Sequence, residues 1–486
     1  MTVTMRQKEY HAVVVGAGPN GLAAAITLAQ AGQRVLVIEA RDKVGGAASS
    51  AELTLPGFIH DLGSAVHPFG VGSSFFQALP LERYGLRWVQ PPTPVAHPFD
   101  NGDAALLERS IRATGATLGR DAAAYWRLMA PLVRGWPRIA PTVINPLSFP
   151  RHPFAVARFG IYALLSIRLL AQTLFREEPA RGLLAGLGAH SFLTMEAPFS
   201  AASGLVLGVL GHVVGWPSPR GGAQAIADAL ARYLIDLGGT IITDQRIEHW
   251  DDLPVASAAL FDTTPRQLLD IAGDRLPDSY RRKLQRFRQG PGIFKVDYAL
   301  DGSIPWAAPA CARAGTVHIG GTLDEIAVSE RAPHRGQFVE RPYVLLAQPT
   351  LFDDSRAPRG KHIVWAYCHV PRGSREDMTA RIDAQIERFA PGFRERIIAR
   401  STMDSAAMEA YNANLIGGDI SGGLPNWRQL VTRPVVSLNP YATPAAGIYL
   451  CSSSTPPGPG VHGMCGYHAA RAVLRDLRAN KLEQSR

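Results

Sequence analysis

Residues 11–47 read HAVVVGAGPNGLAAAITLAQAGQRVLVIEARDKVGGA, and the fold class follows from this stretch. His11–Val15 is a short apolar run typical of a buried parallel strand, and the glycine-rich turn 16–21 comes directly after it. The segment LAAAITLAQAG then predicts a helix that ends at Gly32, and Arg34–Ile38 predicts a second strand. Strand, turn, helix and strand in this order indicate a dinucleotide-binding βαβ unit, so we expect an α/β fold.

The glycines of this turn have separate physical roles. Gly16 permits the tight turn, Gly18 lets a pyrophosphate approach the backbone, and Gly21 allows the helix to pack closely on the strand. The helix N-terminus then faces the anion, and Glu39 lies where a carboxylate accepts hydrogen bonds from a ribose diol. The unit predicts a site for NAD or FAD, with cofactor contacts from Gly16, Gly18, Pro19, Asn20, Gly21 and Glu39.

The residues after Glu39 favour FAD over NAD. They read Ala40-Arg41-Asp42-Lys43-Val44-Gly45-Gly46-Ala47, and this E-x-R-x-x-x-G-G pattern resembles the FAD-binding signature of the glutathione-reductase-like flavoproteins. In that group the paired glycines close a second loop on the pyrophosphate side, and the arginine helps to hold the adenosine half. The resemblance implies FAD, with contacts from Ala40, Arg41, Gly45, Gly46 and Ala47. It also implies that Gly63 and Ser64, after a predicted strand at Phe58–Leu62, approach the flavin ring.

Two further segments resemble the phytoene-desaturase-like flavoproteins. Residues 216–222 (WPSPRGG) precede a predicted helix at Ala223–Leu237 and a strand-like run at Thr240–Trp250. In that family this run folds back beside the adenine, which implies a backbone contact from Ile247. Residues 447–466 form a predicted strand and a glycine-rich closing motif before a helix at Tyr467–Asn480. The resemblance implies that this helix N-terminus faces the flavin and stabilises its reduced form, with contacts from Ser453, Gly463 and Met464.

Within this family the chain is most similar to the branch of the pyridine nucleotide-disulfide oxidoreductase domain-containing proteins, on segments 62–70, 96–110, 417–423 and 461–471. The closing motif departs from that of carotenoid desaturases, because Pro456 replaces a common histidine and Pro459 replaces a glycine. The identity of the substrate therefore does not carry over from the carotenoid enzymes. The cysteines, at 311, 368, 451 and 465, form no CxxC motif, so we expect neither disulfide redox chemistry nor a metal site.

The length of 486 residues favours two domains, because single cores stop growing at about 250–300 residues. We predict an α/β architecture in which a glutathione-reductase-like, Rossmann-type FAD domain joins a discontinuous, mixed α+β substrate domain. The FAD domain is expected from residues 1–75, 217–275 and 430–486. The substrate domain is expected from residues 76–216 and 276–429.

The sequence indicates a redox reaction without a nicotinamide domain, because no second G-x-G-x-x-G motif follows a strand-like run. We expect an FAD-dependent oxidoreductase that dehydrogenates, desaturates or isomerises a hydrophobic substrate by hydride transfer to flavin N5. Oxygen, a quinone or another electron acceptor would reoxidise the flavin. His67 and His462 are candidate catalytic residues, and Trp216 and Arg220 are candidate substrate contacts, with plain packing as the alternative for each. A flavin amine oxidase and a flavin-stabilised, membrane-docking interaction protein remain open as alternative functions.

The formal net charge is +9, with basic residues concentrated at 151–181 and 266–295. No nucleic-acid-binding motif accompanies them, so no nucleic-acid partner is expected. Val156–Phe175 predicts a cationic amphipathic helix, which can lie in a membrane interface or pack on a core. The absence of a long apolar run and of a signal-peptide pattern favours a cytoplasmic protein, with peripheral membrane contact as the open alternative.

Overall fold

The computed structural model describes residues 10–146 and 149–484. The strands are, in chain order, β1 (Tyr10–Val15), β2 (Val35–Ile38), β3 (Ser50–Glu52), β4 (Ile59–Asp61), β5 (Trp88–Val89), β6 (Thr93–Pro98), β7 (Ala104–Leu107), β8 (Ser218–Pro219), β9 (Thr240–Ile242), β10 (Ala256–Phe261), β11 (Gly292–Leu300), β12 (Ala314–Ile319), β13 (Val344–Ala347), β14 (His362–Val370), β15 (Ile397–Met403) and β16 (Ile448–Leu450).

The α-helices are α1 (Pro19–Gln30), α2 (Pro68–Gly72), α3 (Ser74–Gln77), α4 (Ile111–Ala116), α5 (Ala122–Val143), α6 (Pro153–Ala163), α7 (Ile167–Leu174), α8 (Glu178–Ala189), α9 (Ser200–Val213), α10 (Gln224–Asp236), α11 (Pro265–Ala272), α12 (Asp278–Gln285), α13 (Leu323–Arg331), α14 (Thr379–Phe389), α15 (Ser405–Tyr411), α16 (Trp427–Val431) and α17 (Met464–Gln484).

The first sheet, here called the nucleotide sheet, has the strand order β16-β10-β1-β2-β9, and all of its neighbouring strands are parallel. Its members come from the two ends and the middle of the sequence. The central strand β1 is an apolar run that pairs on both edges, as expected for a parallel strand with helices on both faces. This arrangement confirms the predicted α/β, Rossmann-like class.

Helices cover both faces of the nucleotide sheet. Helices α1 and α17 pack side by side on one face of the sheet, and they approach so closely that a Cβ on Gly466 would lie 1.8 Å from the carbonyl oxygen of Asn20. Helix α10 packs beside α1 and shares its buried apolar cluster. On the opposite face, Phe261 and Leu450 pack against Leu268 of α11. The glycine-rich turn between β1 and α1 is therefore held by a continuous core.

The second sheet has the strand order β15-β11-β14-β13-β12-β6-β7. Only the β12–β6 pair is parallel among the strand pairs described in it. Side chains alternate along β11, so Phe294 and Val296 pack with α14 on one face. The other face, which includes Trp365 and Tyr367 of β14, packs against helices α5 to α9. A cavity lies between this second face and the carboxyl ends of strands β1, β2 and β10 of the nucleotide sheet.

Two expectations about local structure were wrong in detail. The segment 156–175 is two helices, α6 and α7, that meet at 94°, because the hydroxyl of Ser166 accepts a hydrogen bond from Leu169 N and begins a new helix there. In the run 240–250, only Thr240–Ile242 is a strand. Within the described residues, no single helix is long and apolar enough to cross a membrane, and α6 and α7 reach that length only as a bent pair.

Candidate active site

A cavity of about 560 Å³ runs from the carboxyl ends of β1, β2 and β10 to the helix-covered face of the second sheet. At one end, which we call the nucleotide crevice, it is lined by the glycine turn and by Glu39. At the other end, which we call the inner chamber, the described lining is largely apolar or aromatic: Val206, Phe192, Leu193, Leu345, Trp365 and Tyr367. One continuous space therefore joins a polar crevice to an apolar chamber.

The nucleotide crevice has a cradle of two glycine loops. Gly16 has a φ of +101°, which favours glycine, and a Cβ on Gly21 would lie 2.0 Å from the carbonyl oxygen of Gly16. Gly46, with a φ of +54°, faces the first loop so closely that its Cβ would lie 3.2 Å from the Cα of Gly18. Bare backbone thus lines the crevice from both sides at the N-terminus of α1, which is the geometry that a bound pyrophosphate needs.

Glu39 is held at the end of β2 by two backbone amides. Its Oε2 accepts a hydrogen bond from Ala17 N at 2.7 Å, and its Oε1 accepts one from Arg41 N at 3.0 Å. Each carboxylate oxygen has a second lone pair, so the group can still accept the hydroxyls of a ribose. The side chain is buried, and Ala40, Arg41 and Ile247 line the crevice beside it.

Asp262, at the end of β10, is a site residue that sequence reasoning missed. Its Oδ2 accepts a hydrogen bond from Gly21 N at 2.9 Å, and burial raises the pKa of this carboxyl well above its usual range. Two neighbouring oxygens in the same crevice, Asn20 Oδ1 and Thr263 Oγ1, are buried without a partner among the described residues. An acidic residue at the carboxyl end of a predicted parallel strand was the available signal.

The segment Tyr411–Asn414, which follows helix α15, closes over the crevice and was also missed. The hydroxyl of Tyr411 donates to the carbonyl oxygen of Gly46 at 3.0 Å, and the guanidinium of Arg41 lies 4.1 Å from the centre of the Tyr411 ring. Asn414 Nδ2 donates to the backbone oxygen of Asp262 at 2.8 Å. No motif marks this segment, because its role depends on contacts with loops far away in the sequence.

The C-terminal closing motif lines the middle of the cavity through Ser453 and His462. Arg433 also lines the cavity, and its buried guanidinium donates hydrogen bonds to the backbone oxygens of the 421–423 turn. Burial lowers the pKa of Arg433 to about 10. Gly463 and Met464 lie behind the described lining, where Gly463 packs closely on Phe75. Helix α17 begins at Met464, so its N-terminus is next to this part of the cavity.

The two candidate catalytic histidines both line the cavity and are both buried. His67 Nε2 lies 2.9 Å from Ser64 Oγ, and His462 Nδ1 accepts a hydrogen bond from Met464 N at 3.0 Å. Burial lowers the pKa of each imidazole to about 4. Both rings are therefore neutral at physiological pH, and neither carries a charge to a ligand.

The remaining predicted site residues divide into two groups. Gly63, Ser64, Ala47 and Pro19 belong to the described lining of the cavity, whereas Gly21 and Gly45 support the cradle from behind.

The predicted substrate contacts Trp216 and Arg220 lie outside the described lining. Trp216 is buried, and its Nε1 donates to Thr316 Oγ1 at 3.0 Å. Arg220 is half exposed and pairs with Asp354 at 2.7 Å. Trp216 is therefore a packing residue behind the chamber, and Arg220 is a surface residue. Within the described ranges, no cluster of three or more His, Cys, Asp or Glu residues could hold a metal ion.

The parallel sheet, the paired glycine loops and the buried carboxylate of Glu39 at the end of β2 are typical of a Rossmann-type dinucleotide-binding fold. A family model described as an NAD(P)-binding Rossmann-like domain matches residues 14–79. The pyridine nucleotide-disulfide oxidoreductase domain-containing protein 2 of Mus musculus is 26% identical and covers 97% of this chain and 94% of its own length. The phytoene desaturase (lycopene-forming) of Pantoea ananas is 26% identical and covers 96% of this chain and 99% of its own.

A solved putrescine oxidase bound to putrescine shares the fold with a TM-score of 0.62 at 18% identity, over 97% of this chain and 99% of that chain. The resemblance to phytoene-desaturase-like flavoproteins is thus confirmed over most of the chain. These relatives are oxidoreductases by name, which agrees with the enzyme class expected from the sequence. Its solved neighbours include amine oxidases, so the narrower glutathione-reductase-like class stays a prediction.

Proposed function

We propose that this chain is an FAD-dependent oxidoreductase that removes hydrogen from an uncharged, hydrophobic substrate. The observation that carries the proposal is the single cavity that joins a dinucleotide cradle to an apolar chamber. A dinucleotide bound at Gly18 and Glu39 would lie in the same cavity as this chamber. Apolar walls of this kind favour a lipophilic ligand and exclude water from the reacting atoms.

The residues of the crevice fit FAD. Gly16, Gly18 and Gly46 would hold the pyrophosphate, and Glu39 would hold the ribose. Arg41, stacked on Tyr411, brings a cation to the crevice, and the unpartnered Asn20 Oδ1 and Thr263 Oγ1 can accept hydrogen bonds from the cofactor. The E-x-R-x-x-x-G-G pattern supports FAD over NAD and supports a glutathione-reductase-like FAD domain.

Bound FAD supplies a two-electron acceptor at N5 of its ring. The chain's own residues orient the substrate and keep the site dry. The neutral His67 and His462 add no charge to the middle of the cavity. Helix α17, beginning at Met464, directs its positive dipole end toward this region, where negative charge is favoured. Oxygen, a quinone or another carrier is the proposed final acceptor.

An amine oxidase is the second candidate, because a putrescine oxidase shares the fold. The charges of the lining argue against it. Among the described lining residues, the carboxylates are Glu39 and Asp262, and both belong to the nucleotide crevice. A cationic amine in the inner chamber would have no anion to compensate its loss of hydration. We therefore favour an uncharged substrate.

The decisive experiment measures the visible spectrum of the purified protein and identifies the chromophore released by heat. We expect a two-band flavin spectrum and free FAD. Gly18→Ala would place a Cβ 2.7 Å from Asp262 Oδ2 and should lower FAD content, whereas Gly160→Ala, with nothing within 4 Å, is the matched control. A colourless protein that does not take up added FAD would contradict the proposal. Anaerobic bleaching by lipophilic donors, but not by amines, tests the substrate class.

We also propose that helices α6 and α7 bring the protein to an anionic membrane surface. Phe154 is 91% exposed, Ile161 65% and Leu164 54%, and the exposed Arg158 lies among them. Exposed apolar side chains beside arginine match the interface of an anionic bilayer. In the sequence the patch follows Val143 and Ile144, which line the cavity.

Vesicle flotation tests this contact. The double variant Phe154→Ser, Ile161→Ser should lose binding to phosphatidylglycerol vesicles, while Val255→Ser, at a residue 92% exposed in the loop before β10, should keep it. Equal flotation of all three proteins, or no flotation of the unmodified protein, would contradict membrane contact and leave the redox proposal intact.

A further inference from the structure

The inner chamber contains a small polar group that the proposed redox reaction does not use. His190, at the end of α8, lines the chamber, and its Nε2 lies 3.0 Å from Nε2 of His318 on β12. His318 Nδ1 is buried without a partner among the described residues. Burial lowers the pKa of His190 to about 3 and that of His318 well below its usual range, so both rings are neutral.

The hydrogen bond between the two neutral rings has one donor and one acceptor. The unpartnered nitrogen of His318 is Nδ1. A proton on Nδ1 would be a buried N–H without an acceptor, which is unfavourable. A proton on Nε2 instead leaves Nδ1 with only an unused lone pair. We therefore assign the proton of His318 to Nε2, which donates to His190. His190 then carries its own proton on Nδ1, the nitrogen left for a ligand.

Trp365 supplies a second donor at the same chamber. Its side chain is 5% exposed and lines the cavity, and its Nε1 has no hydrogen-bond partner among the described residues. An indole N–H is a donor only, so this group can be satisfied only by an acceptor. A donor that stays buried and unpaired is destabilising, and a hydrogen bond to a ligand oxygen would remove that cost.

The register of the second sheet brings these groups together. Tyr367 lies opposite Leu345 of β13, which lies opposite His318 of β12, so their side chains share one face of the sheet. The ring of Trp365 lies 5.1 Å from that of Tyr367, and both residues line the cavity. An imidazole, an indole and a phenol thus line the same chamber.

We propose that this part of the chamber, formed by His190, Trp365 and Tyr367, binds the carbonyl oxygen of a lipophilic ketone or ester. The inference rests on the proposed function in taking the chamber as the substrate site, and it names the substrate class. Lys295 forms an ion pair with Asp297 of the same strand, β11, and neither residue belongs to the described lining of the cavity. The three donors are neutral, and the Arg433 guanidinium in the middle of the same cavity is held by the backbone oxygens of the 421–423 turn, so this group suits an uncharged acceptor better than a carboxylate.

The test compares three ligands that each carry a nonyl chain. These are methyl nonyl ketone, the alkene of the same shape in which =CH₂ replaces the carbonyl oxygen, and nonylamine. Titration calorimetry on the purified protein, with the flavin it carries, measures each affinity and does not require turnover. We expect the ketone to bind about threefold to tenfold more tightly than the alkene, the range for one net hydrogen bond.

Two conservative variants locate the effect. Trp365→Phe removes the indole N–H, and Tyr367→Phe removes only a hydroxyl, so at least one should fold normally. We expect one or both to weaken the ketone about threefold to tenfold and to leave alkene binding unchanged. Trp306→Phe is the control, because its Nε1 already donates to Gln348 in the opposite core and it lies outside the described lining.

The outcomes separate this subsite from the redox proposal. Equal affinity for ketone and alkene, an equal loss of both ligands in Trp365→Phe and Tyr367→Phe, or tightest binding of nonylamine would each overturn the carbonyl assignment. A ketone preference that disappears in these variants supports it, even if no ketone reduces the flavin. In that last case the proposed reaction fails while the subsite stands.

Discussion

The carboxyl group of Asp262 accepts a hydrogen bond from the backbone amide of Gly21 at 2.9 Å, across 241 positions of sequence. It joins the end of β10 to the first turn of α1, under the glycine loop that faces the cavity. A buried carboxyl beside a predicted pyrophosphate site is unfavourable when ionised, so its protonation state affects both folding and cofactor binding.

Asp262→Asn should therefore change the pH dependence of stability. Because burial raises the folded pKa, the folded protein binds this proton more tightly than the unfolded chain does. Stability of the unmodified protein then falls as pH rises from the unfolded pKa, about 4, toward the folded value. The amide variant lacks this loss and still accepts from Gly21. Urea unfolding from pH 4 upward measures the difference, and parallel curves for the two proteins would contradict it.

Glu39→Gln should weaken FAD binding without unfolding the protein. The variant keeps one oxygen for Ala17 or Arg41 but loses the charge-assisted bonds of the carboxylate. We expect FAD affinity to fall about 10-fold to 150-fold, from roughly 1.5–3 kcal/mol for hydrogen bonds to a charged group. Fluorescence of released FAD measures it. The exposed Glu248→Gln is the control, and equal affinity in both variants would show that Glu39 does not hold the cofactor.

Replacing Arg356 should cost the folded protein much more stability than replacing Arg220. Arg356 is fully buried, donates to Asp61 Oδ2 at 2.9 Å and also donates to Ile59 O. Arg356→Ala leaves Asp61 buried without its cation and should cost about 3–5 kcal/mol. Arg220→Ala removes a solvent-exposed ion pair with Asp354 and should cost at most about 1 kcal/mol. Thermal unfolding compares them, and similar losses would contradict the buried network.

His67 should contribute to acid sensitivity. Its folded pKa is lowered to about 4 by burial, so the unfolded chain binds this proton more readily below the usual value of 6.5. Stability is therefore lost as pH falls from 6.5 to about 4, by about 3 kcal/mol for this one group. His67→Gln should flatten that part of the stability curve, whereas the exposed His152→Gln should not. Chemical unfolding at several pH values checks it.

The four cysteines should be unreactive in the native protein. All four are buried and unpaired, and burial raises the pKa of Cys311 to about 12 and of Cys465 to about 11. The thiolate is the reactive form, so a disulfide reagent such as Ellman's should label none of them until urea is added. Rapid labelling of one thiol in the folded state would show that a buried segment opens.

The nucleotide half of the site was largely predictable from sequence. The turn 16–21, Glu39 and Gly46 depend on local backbone geometry, such as the positive φ at Gly16, and on the order of strand and helix. Such features are encoded by neighbouring residues, so a short stretch specifies them. The strands at Val35–Ile38 and Ile448–Leu450 were predictable for the same reason.

The rest of the site depends on which distant segments meet. Asp262 reaches Gly21 because β10 pairs with β1, and His318 faces the same chamber as Tyr367 because β12, β13 and β14 are neighbours. Trp216, predicted at the substrate, instead donates to Thr316 behind the chamber. Local sequence alone determined the dinucleotide cradle, since backbone preferences act between neighbours. Only the tertiary structure decided the chamber, since side-chain contacts across a sheet follow strand order rather than sequence distance.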